Sequence, residues 1–445
     1  MPGCAFLVFE GSFSPECKWP DAEHPAVCVI RDLCAIRETR ENMNYILENR
    51  DILYNNEQLG PYPDHLLPRV DKVTNLIDGA TPKRKSPNDN ANARLRKKLG
   101  TNNPEAMKDL FKKLKKTPLT QAFGDMRIQM VKQARNPNPV ANEVAPIPED
   151  PRVLSRHIKS LGYFLGADQI GICEIPHYAM FLDDVKGNEF IAESINYDYK
   201  YAIVLLKRKQ MRTTMASTGY DWIFDACSHQ CYNQLIHWSE TMANYIRRLG
   251  FDATGSYMGY YSTVMTTLVL AAGLGESGRM GLAVNPFFGA NFKSACVMTS
   301  MPLQPDKPID FGLQEYCKTC GICAQQCVSK AISPDNDLVE YNGYSRYKMD
   351  YDRCAALGQQ NVHGEGCGRC SNICPWNRPD SEPHHFQDWD GSLETLYDSV
   401  NNRARYLREH NFVTEESTNR KWWFELQEKD GKLVIPEKTK YTVVP

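Results

Sequence analysis

Hydrophobic and polar residues form regular helix and strand patterns from about residue 151 onward. Apolar residues at helical spacing predict helices, and short apolar runs predict strands. The predicted helices cover residues 153–165, 228–248 and 262–272, and the predicted strands cover residues 167–173 and 201–206. Gly250 follows the longest predicted helix and is expected to end it. This alternation of helices and strands predicts the α/β (α+β) fold class.

Residues 1–150 lack this regularity and are polar, with frequent prolines. A basic stretch covers residues 81–116, and its second half, residues 104–116, predicts an amphipathic helix. The apolar face of that helix consists of Met107, Leu110, Phe111 and Leu114. We interpret the basic residues as a solvated face, because most charge runs lie in solvent. The prolines between Pro137 and Pro151 predict an extended arm, so residues 1–150 are expected to form an N-terminal extension.

The length and net charge of the chain limit the classes of function that are expected. The chain has 445 residues, enough for about two to four domains, and a formal net charge of -2 at pH 7. This balance gives no general electrostatic reason to bind nucleic acid or an anionic membrane. No run approaches the roughly 20 apolar residues that span a bilayer, and the N-terminus has no basic n-region, twin arginine or cleavage site. We therefore expect a cytoplasmic protein without a transmembrane segment.

Eight of the 16 cysteines lie between residues 317 and 374, at a spacing typical of iron–sulfur ligands. The first four follow the Cys-x-x-Cys-x-x-Cys-x-x-x-Cys run of bacterial ferredoxins, in which the fourth thiolate binds the other of two clusters. The same crossing predicts two sets of four cysteines here, each holding one [4Fe-4S] cluster. The first cysteine set is Cys317, Cys320, Cys323 and Cys374, and the second cysteine set is Cys327, Cys354, Cys367 and Cys370.

Paired Cys-x-x-Cys elements also bind structural zinc, and this alternative stays open. It fits less well, because a tetrahedral zinc site gains nothing from a third cysteine in the same short loop. Val328 follows Cys327 where ferredoxins usually have proline, but that position shapes the turn and provides no ligand. The other eight cysteines lack the density of a disulfide scaffold, so we expect them to be reduced thiols.

The residues before the first cysteines resemble those of a known enzyme family. The run from Gly273 to Cys327, GLGESGRMGLAVNPFFGANFKSACVMTSMPLQPDKPIDFGLQEYCKTCGICAQQC, contains RMG, NPFFG and DKPIDFG elements in order before the cysteines. In these elements and their spacing, residues 152–376 look like the core of corrinoid-dependent reductive dehalogenases. The Asp-x-His-x-x-Gly motif of corrinoid proteins with a histidine ligand is absent, in accord with the base-off cobalamin of this family.

The resemblance implies a domain organisation and a set of corrinoid contacts. Residues 151–310 would form a nitroreductase-like corrinoid-binding and catalytic domain, and residues 311–385 a ferredoxin-like domain with two [4Fe-4S] clusters. Residues 386–445 would form a C-terminal segment that packs on the core. The cobalamin contacts implied within the RMG and NPFFG elements are Arg279, Met280, Gly281, Pro286 and Gly289.

Two catalytic positions also follow from the resemblance. Family members place a tyrosine in a helix that ends in a sequence like Arg-x-x-Gly, which corresponds here to Tyr232 in CYNQLIHWSETMANYIRRLG. A basic residue in the NPFFGANFKS segment corresponds to Lys293. Cleavage of a carbon–halogen bond leaves a carbon that must gain a proton, and a phenol supplies one when a nearby cation stabilises its anion. Tyr232 is therefore the predicted proton donor and Lys293 its electrostatic partner.

The same resemblance implies an organohalide substrate, with a halophenol or other aryl halide favoured, and an electron donor of the ferredoxin or flavodoxin type. Nucleic acid is not a favoured partner. Aromatic residues expected near the substrate are Tyr220, Trp222, Tyr257, Tyr260, Tyr261 and Trp376. An epoxyqueuosine reductase, which acts on transfer RNA with similar cofactors and usually an aspartate as acid, is the alternative enzyme. A non-catalytic electron carrier is a further alternative, but it leaves about 300 upstream residues unexplained.

Overall fold

The computed structural model describes residues 58–100, 109–110, 112–134, 137–182, 195–217, 219, 221–410, 426–430 and 432–434. These residues form a mixed α/β fold, as predicted. The strands of the main sheet pair in antiparallel fashion, so the α+β layout is the one observed.

The helices agree with the sequence pattern where that pattern was regular. In chain order they are α1 (Ala91–Leu99), α2 (Pro118–Ala134), α3 (Pro151–Leu165), α4 (Met211–Ala216), α5 (Ile223–Arg248), α6 (Met265–Ala271), α7 (Leu313–Cys320), α8 (Ile322–Gln325), α9 (Tyr351–Gln360), α10 (Arg369–Asn372) and α11 (Leu393–Glu409). Helix α5 ends before Gly250, whose φ of 91° is the left-handed conformation that glycine adopts easily. Within the described part of the chain, none of these helices combines the length and hydrophobicity that a bilayer crossing requires.

The strands are β1 (Gln169–Glu174), β2 (Tyr201–Arg208), β3 (Ala253–Ser256), β4 (Glu276–Ser277), β5 (Ala283–Val284), β6 (Phe292–Thr299), β7 (Leu338–Tyr341), β8 (Tyr344–Tyr347), β9 (Gln427–Lys429) and β10 (Lys432–Val434). Four of them form the main sheet, in the order β1-β2-β6-β3. Strands β4 and β5, β7 and β8, and β9 and β10 form separate antiparallel pairs.

Side chains alternate between the two faces of the main sheet, as the period of a strand requires. In β2, Ile203 and Leu205 pack in one apolar cluster with residues of α3 and α5. Val204 and Leu206 pack in another cluster with residues of α6. Residues of β6 alternate in the same way, with Ala295 on the side of α5. We call this side the α5 face of the sheet.

The RMG and NPFFG elements form two consecutive turns after α6. RMG lies in the turn between β4 and β5, where Gly281 has a φ of 72° and donates its N–H to the Gly278 carbonyl. In NPFFG, Asn285 and Gly289 exchange backbone hydrogen bonds of 2.9 Å. The Asn285 Oδ1 accepts the Phe287 N–H at 2.9 Å, which fixes the turn locally.

The cysteine-bearing helices α7, α8 and α10 pack against the sheet through a shared apolar core. Val284 and Phe287, which precede residue 310, belong to the same buried cluster as Cys323, Cys374 and Trp376. The core is therefore continuous across the predicted boundary at residue 310. The predicted domain limits stay predictions.

The proline-rich arm, residues 137–150, runs alongside the C-terminal end of α5. Residues 137–150 contain no helix or strand. Ala141 donates its N–H to the Arg247 carbonyl at 2.9 Å, and Ala145 donates to the Leu249 carbonyl at 3.0 Å. The arm thus donates hydrogen bonds to carbonyl groups at the end of α5, where few intrahelical donors remain.

The basic stretch departs from its interpretation at one residue. Lys97, Lys98, Lys112 and Lys113 are exposed, in agreement with a solvated face. Lys116 is instead buried, with 3% of its surface exposed, so its assignment to that face was wrong. Of the predicted helix, residues 104–108 and Phe111 lie outside the described residues, while 109–110 and 112–113 are helical and Leu110 is buried.

Candidate active site

Tyr232 and Lys293 meet on the α5 face of the sheet. Lys293 lies opposite Lys207 in the register of β6 and β2, and Tyr232 is part of α5. The Lys293 Nζ lies 5.0 Å from the centroid of the Tyr232 ring and 5.6 Å from that of Phe224. Phe224 is two helical turns before Tyr232, so the two rings share one side of α5. The structure brings the two predicted catalytic residues together.

Tyr261 is a further neighbour of Tyr232. Tyr232 is one of the groups that act on its ionisation. Burial, and then the neighbouring Tyr232, raise the pKa of Tyr261 well above its ordinary value, so Tyr261 stays protonated. A protonated hydroxyl therefore lies in the neighbourhood of Tyr232.

The other aromatic residues expected near the substrate are dispersed. Tyr257 is buried and donates its hydroxyl to Glu240 at 2.6 Å, while Tyr260 lines a cavity with Glu240 and Arg247. Trp376 is buried against Phe311, with ring centroids 4.8 Å apart. Trp222 is the half-buried residue that precedes α5, and Tyr220 lies outside the described residues.

Lys209 is a residue of this site that sequence reasoning missed. It follows β2 directly, and only 2% of its surface is exposed. Its Nζ lies 4.6 Å from the Phe224 centroid, on the ring that Lys293 also approaches. Burial and the neighbouring Lys293 lower the pKa of Lys209 to about 7. A lysine after an apolar strand has no distinctive sequence pattern, because lysine at such a position normally lies in solvent.

The first cysteine set lines one cavity. Cys317, Cys320, Cys323 and Cys374 all contribute to its wall. Its other lining residues include Arg279, Met280, Tyr316 and Trp376. Burial raises the pKa of Cys317 to about 11 and that of Cys374 well above its ordinary value. The distant Cys374 thus lies beside the three early cysteines, as the crossed spacing predicted.

The second cysteine set is also clustered. Cys370 is in electrostatic contact with Cys354, Cys367 and Cys327. Burial opposes ionisation of Cys327, but hydrogen bonds from Ser329 and backbone N–H groups outweigh it and lower the pKa of Cys327. One of those donors is the Ala331 N–H, 3.3 Å from the sulfur. Among the described residues, no three His, Cys, Asp or Glu side chains are placed to hold a single metal ion.

Two matched turns present the central cysteines of each set. Gly321 follows Cys320 and precedes α8, while Gly368 follows Cys367 and precedes α10. Their φ angles are 63° and 65°, which only glycine adopts without strain. The two loops therefore repeat one local structure, as expected of an internally repeated ferredoxin pattern.

The predicted corrinoid contacts lie against the cysteine loops. The Arg279 guanidinium is buried and donates to the Cys317 carbonyl at 2.9 Å and the Asp335 carbonyl at 2.6 Å. Met280 lines the cavity of the first cysteine set. A Cβ on Gly281 would clash with the Tyr351 hydroxyl. The geometry gives Arg279 a role in holding the Cys317 loop, and its contact with cobalamin stays a prediction.

Pro286 and Gly289 lie against the segment after Cys374. The Pro286 carbonyl accepts a hydrogen bond of 3.2 Å from Arg378, and a Cβ on Gly289 would clash with Asn377. Near them, several buried polar atoms have no hydrogen-bond partner among the described residues. These atoms are Asn291 Oδ1, Trp376 Nε1, Asn377 Oδ1 and Ser381 Oγ. Buried polar groups normally have partners, so this region is suited to a polar ligand.

Lys116 connects the basic stretch to the end of α9 and the loop that leads from it to Cys367. Its Nζ donates to the carbonyls of Gly358, Asn361 and Gly364 at 3.2, 2.5 and 2.7 Å. Asp225 of α5 accepts the Glu365 N–H at 2.6 Å and holds the same loop from another side. The segment that brings Cys367 to the second cysteine set is therefore anchored by buried charges.

Together these features form a site suited to electron transfer coupled to proton transfer. Two groups of four thiols are typical ligands of iron–sulfur clusters, and a tyrosine beside an ammonium can act as an acid. The fold that supports them is a mixed α/β fold with a helix-covered antiparallel sheet.

Known proteins with similar sequences and structures point to one family. No protein-family model matches the chain. A tetrachloroethene reductive dehalogenase from Sulfurospirillum multivorans is 28% identical over 276 residues, covering 54% of this chain and 53% of the relative. The catabolic reductive dehalogenase NpRdhA is 28% identical in structural comparison, with a TM-score of 0.68, covering 89% of this chain and 56% of that one. Its structure with 3-bromo-4-hydroxybenzoic acid gives the same TM-score at 27% identity.

A shorter region is similar to a different enzyme. The epoxyqueuosine reductase of Leadbetterella byssophila is 30% identical over 151 residues, covering 28% of this chain and 45% of the relative. The broader similarities confirm the predicted resemblance: the chain is a homologue of the reductive dehalogenases. It spans about half the length of the dehalogenases that it matches.

Proposed function

We propose that this chain catalyses reductive dehalogenation, in which the halogen of an organohalide is replaced by hydrogen. The observation that carries the proposal is the placement of the Lys293 Nζ 5.0 Å from the centre of the Tyr232 ring, beside the Phe224 ring against which the loop of the second cysteine set packs. Homology to reductive dehalogenases supports it. The reaction consumes two electrons and one proton and releases a halide ion.

The two cysteine sets are the proposed ligands of two [4Fe-4S] clusters in a ferredoxin-like unit. The donor chemistry fits, because each set supplies the four thiolates that such a cluster takes. Cys323 of the first set and Cys370 of the second interact electrostatically, so the sets adjoin each other. The turns at Gly321 and Gly368 have nearly the same backbone φ angle in both cysteine loops.

A base-off corrinoid is the proposed second cofactor, bound by a nitroreductase-like core. Corrinoids carry carboxamide groups at their periphery, which donate and accept hydrogen bonds. The unpartnered buried atoms of Asn291, Asn377 and Ser381 fit this chemistry. Residues of the RMG and NPFFG turns would complete the contacts. When bound, the corrinoid supplies the electrons that cleave the carbon–halogen bond.

Tyr232 delivers the proton in this proposal. Its Oη–H protonates the carbon that has lost the halide, and the Lys293 ammonium stabilises the phenolate that remains. The neighbouring Tyr261, whose hydroxyl stays protonated, is the proposed hydrogen-bond donor to this phenolate. A cation and a hydrogen-bond donor together are a common means of stabilising developing charge.

An aryl halide with a phenolic oxygen is the favoured substrate class. NpRdhA, at 27% identity, is described in complex with 3-bromo-4-hydroxybenzoic acid, and the Lys293 ammonium offers a partner for a phenolate oxygen here. The proposed electron source is a low-potential carrier of the ferredoxin or flavodoxin type, which would donate to the iron–sulfur clusters.

The test is halide release by the full chain after anaerobic reconstitution with iron, sulfide and hydroxocobalamin. With a low-potential chemical reductant, we expect bromide release from 3-bromo-4-hydroxybenzoic acid. Omission of cobalamin should abolish it. Release from tetrachloroethene alone would overturn the aryl preference, and release from neither would overturn the proposed reaction.

Epoxyqueuosine reduction is the second candidate, favoured by the 151-residue similarity to that enzyme. The same reconstituted protein can be offered a transfer RNA stem loop that contains epoxyqueuosine. Conversion to queuosine without any halide release would favour this candidate. We expect no conversion, because the acid at this site is a tyrosine paired with a lysine.

A further inference from the structure

The amino group of Lys209 lies where an isolated positive charge is costly. Lys209 is buried, and its backbone is held on both sides by Asn291. The Lys209 N–H donates to the Asn291 carbonyl at 2.9 Å, and the Asn291 Nδ2 donates to the Lys209 carbonyl at 3.2 Å. An ammonium removed from water needs a compensating negative group to remain charged.

The surroundings of the Lys209 ammonium contain thiols and a second cation. The groups with most influence on its charge are Lys293, Cys227, Cys231 and Cys370, and none of these is a carboxylate. The face of Phe224, 4.6 Å away, offers only a weak attraction to a cation. Lys293 repels it. Together, these neighbours do not offset the cost of a positive charge on Lys209, so an anionic group nearby would stabilise it.

Phe224 connects the two lysines to the second cysteine set. A Cβ on Gly368 would clash with Phe224 Cε2, so the loop from Cys367 to Cys370 lies directly on this ring. The Nζ atoms of Lys209 and Lys293 lie 4.6 and 5.6 Å from the same ring centroid. The cysteine loop, the ring and the two ammonium groups therefore form one contiguous unit.

We propose that Lys209 is a positioning residue whose ammonium form stabilises the reduced state at the second cysteine set. This proposal rests on the proposed function, in which Cys327, Cys354, Cys367 and Cys370 hold a [4Fe-4S] cluster. Four thiolates around such a cluster leave a net negative charge, and one electron from the low-potential carrier makes it more negative by one unit. A nearby cation lowers the free energy of the reduced form more than that of the oxidised form.

The position of Lys209 affects where in the protein the electron resides. Lys293, which faces Tyr232, lies beside the same ring as Lys209. Lys209 thus favours the presence of the electron at the cysteine set nearest to this ring, without itself touching the substrate. The first cysteine set has Arg279 as its buried cation and is expected to be independent of Lys209.

The test is a redox titration of the reconstituted full chain, followed by electron paramagnetic resonance. Lys209→Met removes the charge and keeps much of the side-chain volume, Lys209→Arg keeps the charge, and Cys370→Ala identifies the signal of the second set. Lys207→Met is the matched control, because Lys207 lies two residues earlier, in β2, and its charge is already paired with Asp168 at 2.9 Å.

We expect Lys209→Met to shift the potential of the second cluster to a more negative value and to leave the first unchanged. Lys209→Arg should restore most of the shift, and Lys207→Met should cause none. Unchanged potentials in Lys209→Met would overturn the proposal. So would loss of the second cluster in both Lys209 variants, because the residue would then act through packing.

These outcomes are distinct from failure of the proposed function. A wild-type protein that binds no iron and sulfide after reconstitution would count against the clusters themselves. Two clusters with shifted potentials but no halide release would leave the role of Lys209 intact and overturn the proposed reaction.

Discussion

The Lys293 ammonium lies over the ring of Tyr232, with its Nζ 5.0 Å from the ring centroid. An ammonium in this position attracts both the electron-rich ring face and the negative charge that spreads into the ring of a phenolate. Because Lys293 is on a strand and Tyr232 is on the helix that covers it, the pair is fixed by regular structure. Their geometry does not depend on a surface loop.

Replacement of Tyr232 by phenylalanine tests the proton donor. We expect Tyr232→Phe to reduce halide release by about 10²- to 10⁴-fold, the usual contribution of a general acid. Its cobalamin and iron contents should remain those of the wild type. Tyr245→Phe is the control, since Tyr245 is on the same helix and its hydroxyl contacts His157 instead. Normal turnover in Tyr232→Phe would remove this residue from the chemistry.

Alanine substitutions in the two cysteine sets test the crossed arrangement. Cys374→Ala should lose the cluster of the first set only, because Cys374 lines the same cavity as Cys317, Cys320 and Cys323. Cys370→Ala should lose the cluster of the second set only. Iron analysis and electron paramagnetic resonance measure both results. Cys296→Ala, at a buried free cysteine outside both sets, should lose neither cluster. An unchanged cluster count in Cys374→Ala would refute the arrangement.

Alanine substitutions at Gly321 and Gly368 separate the cost of the left-handed backbone conformation from the cost of a steric clash. Gly321→Ala places a side chain at a φ of 63°, where its Cβ would meet only Gln325 at 3.8 Å. We expect it to cost about 1–2 kcal/mol in the free energy of unfolding, the usual penalty of the left-handed conformation. Gly368→Ala has a φ of 65° and a clash with Phe224 in addition. It should therefore be clearly more destabilising in urea denaturation, and equal costs would contradict the close packing of Phe224.

Lys116 provides a test of how the basic stretch supports the site. Lys116→Met removes the donor of three hydrogen bonds and leaves the carbonyls of Gly358, Asn361 and Gly364 without it. We expect a loss of about 1–3 kcal/mol in the free energy of unfolding, because buried polar groups without partners are costly. Lys113→Met, at an exposed lysine of the same stretch, should have little effect. Equal stability of the two variants would mean that Lys116 does not anchor the loop.

The regular helices and strands could be predicted because the hydrophobic residues of each one recur at a single spacing, that of a helix or that of a strand. Helix α3 begins two residues before the predicted limit and ends where predicted. Strand β2 continues through Lys207 and Arg208, two residues past the apolar run. Those polar residues extend the strand because they pair with Lys293 and Phe292 of β6, a long-range interaction that local patterns do not contain.

The site could be predicted in part, for a related reason. The cysteine spacing is local and chemically specific, so both sets of four could be proposed from sequence. Tyr232 and Lys293 required resemblance to a family. Lys209 was missed and Lys116 was wrongly assigned to a solvated face, because burial defines their roles and a lysine outside a motif has no sequence feature that reveals burial. Tyr261 was expected only as one of several aromatic residues near the substrate.

The most direct test of the whole account is the metal content of the anaerobically reconstituted full chain. Two [4Fe-4S] clusters and one corrinoid predict about eight iron, about eight sulfide and about one cobalt per chain, with no stoichiometric zinc. Stoichiometric zinc without sulfide or cobalt would contradict the account, because the cysteine sets would then be structural and Tyr232 would have no redox centre beside it.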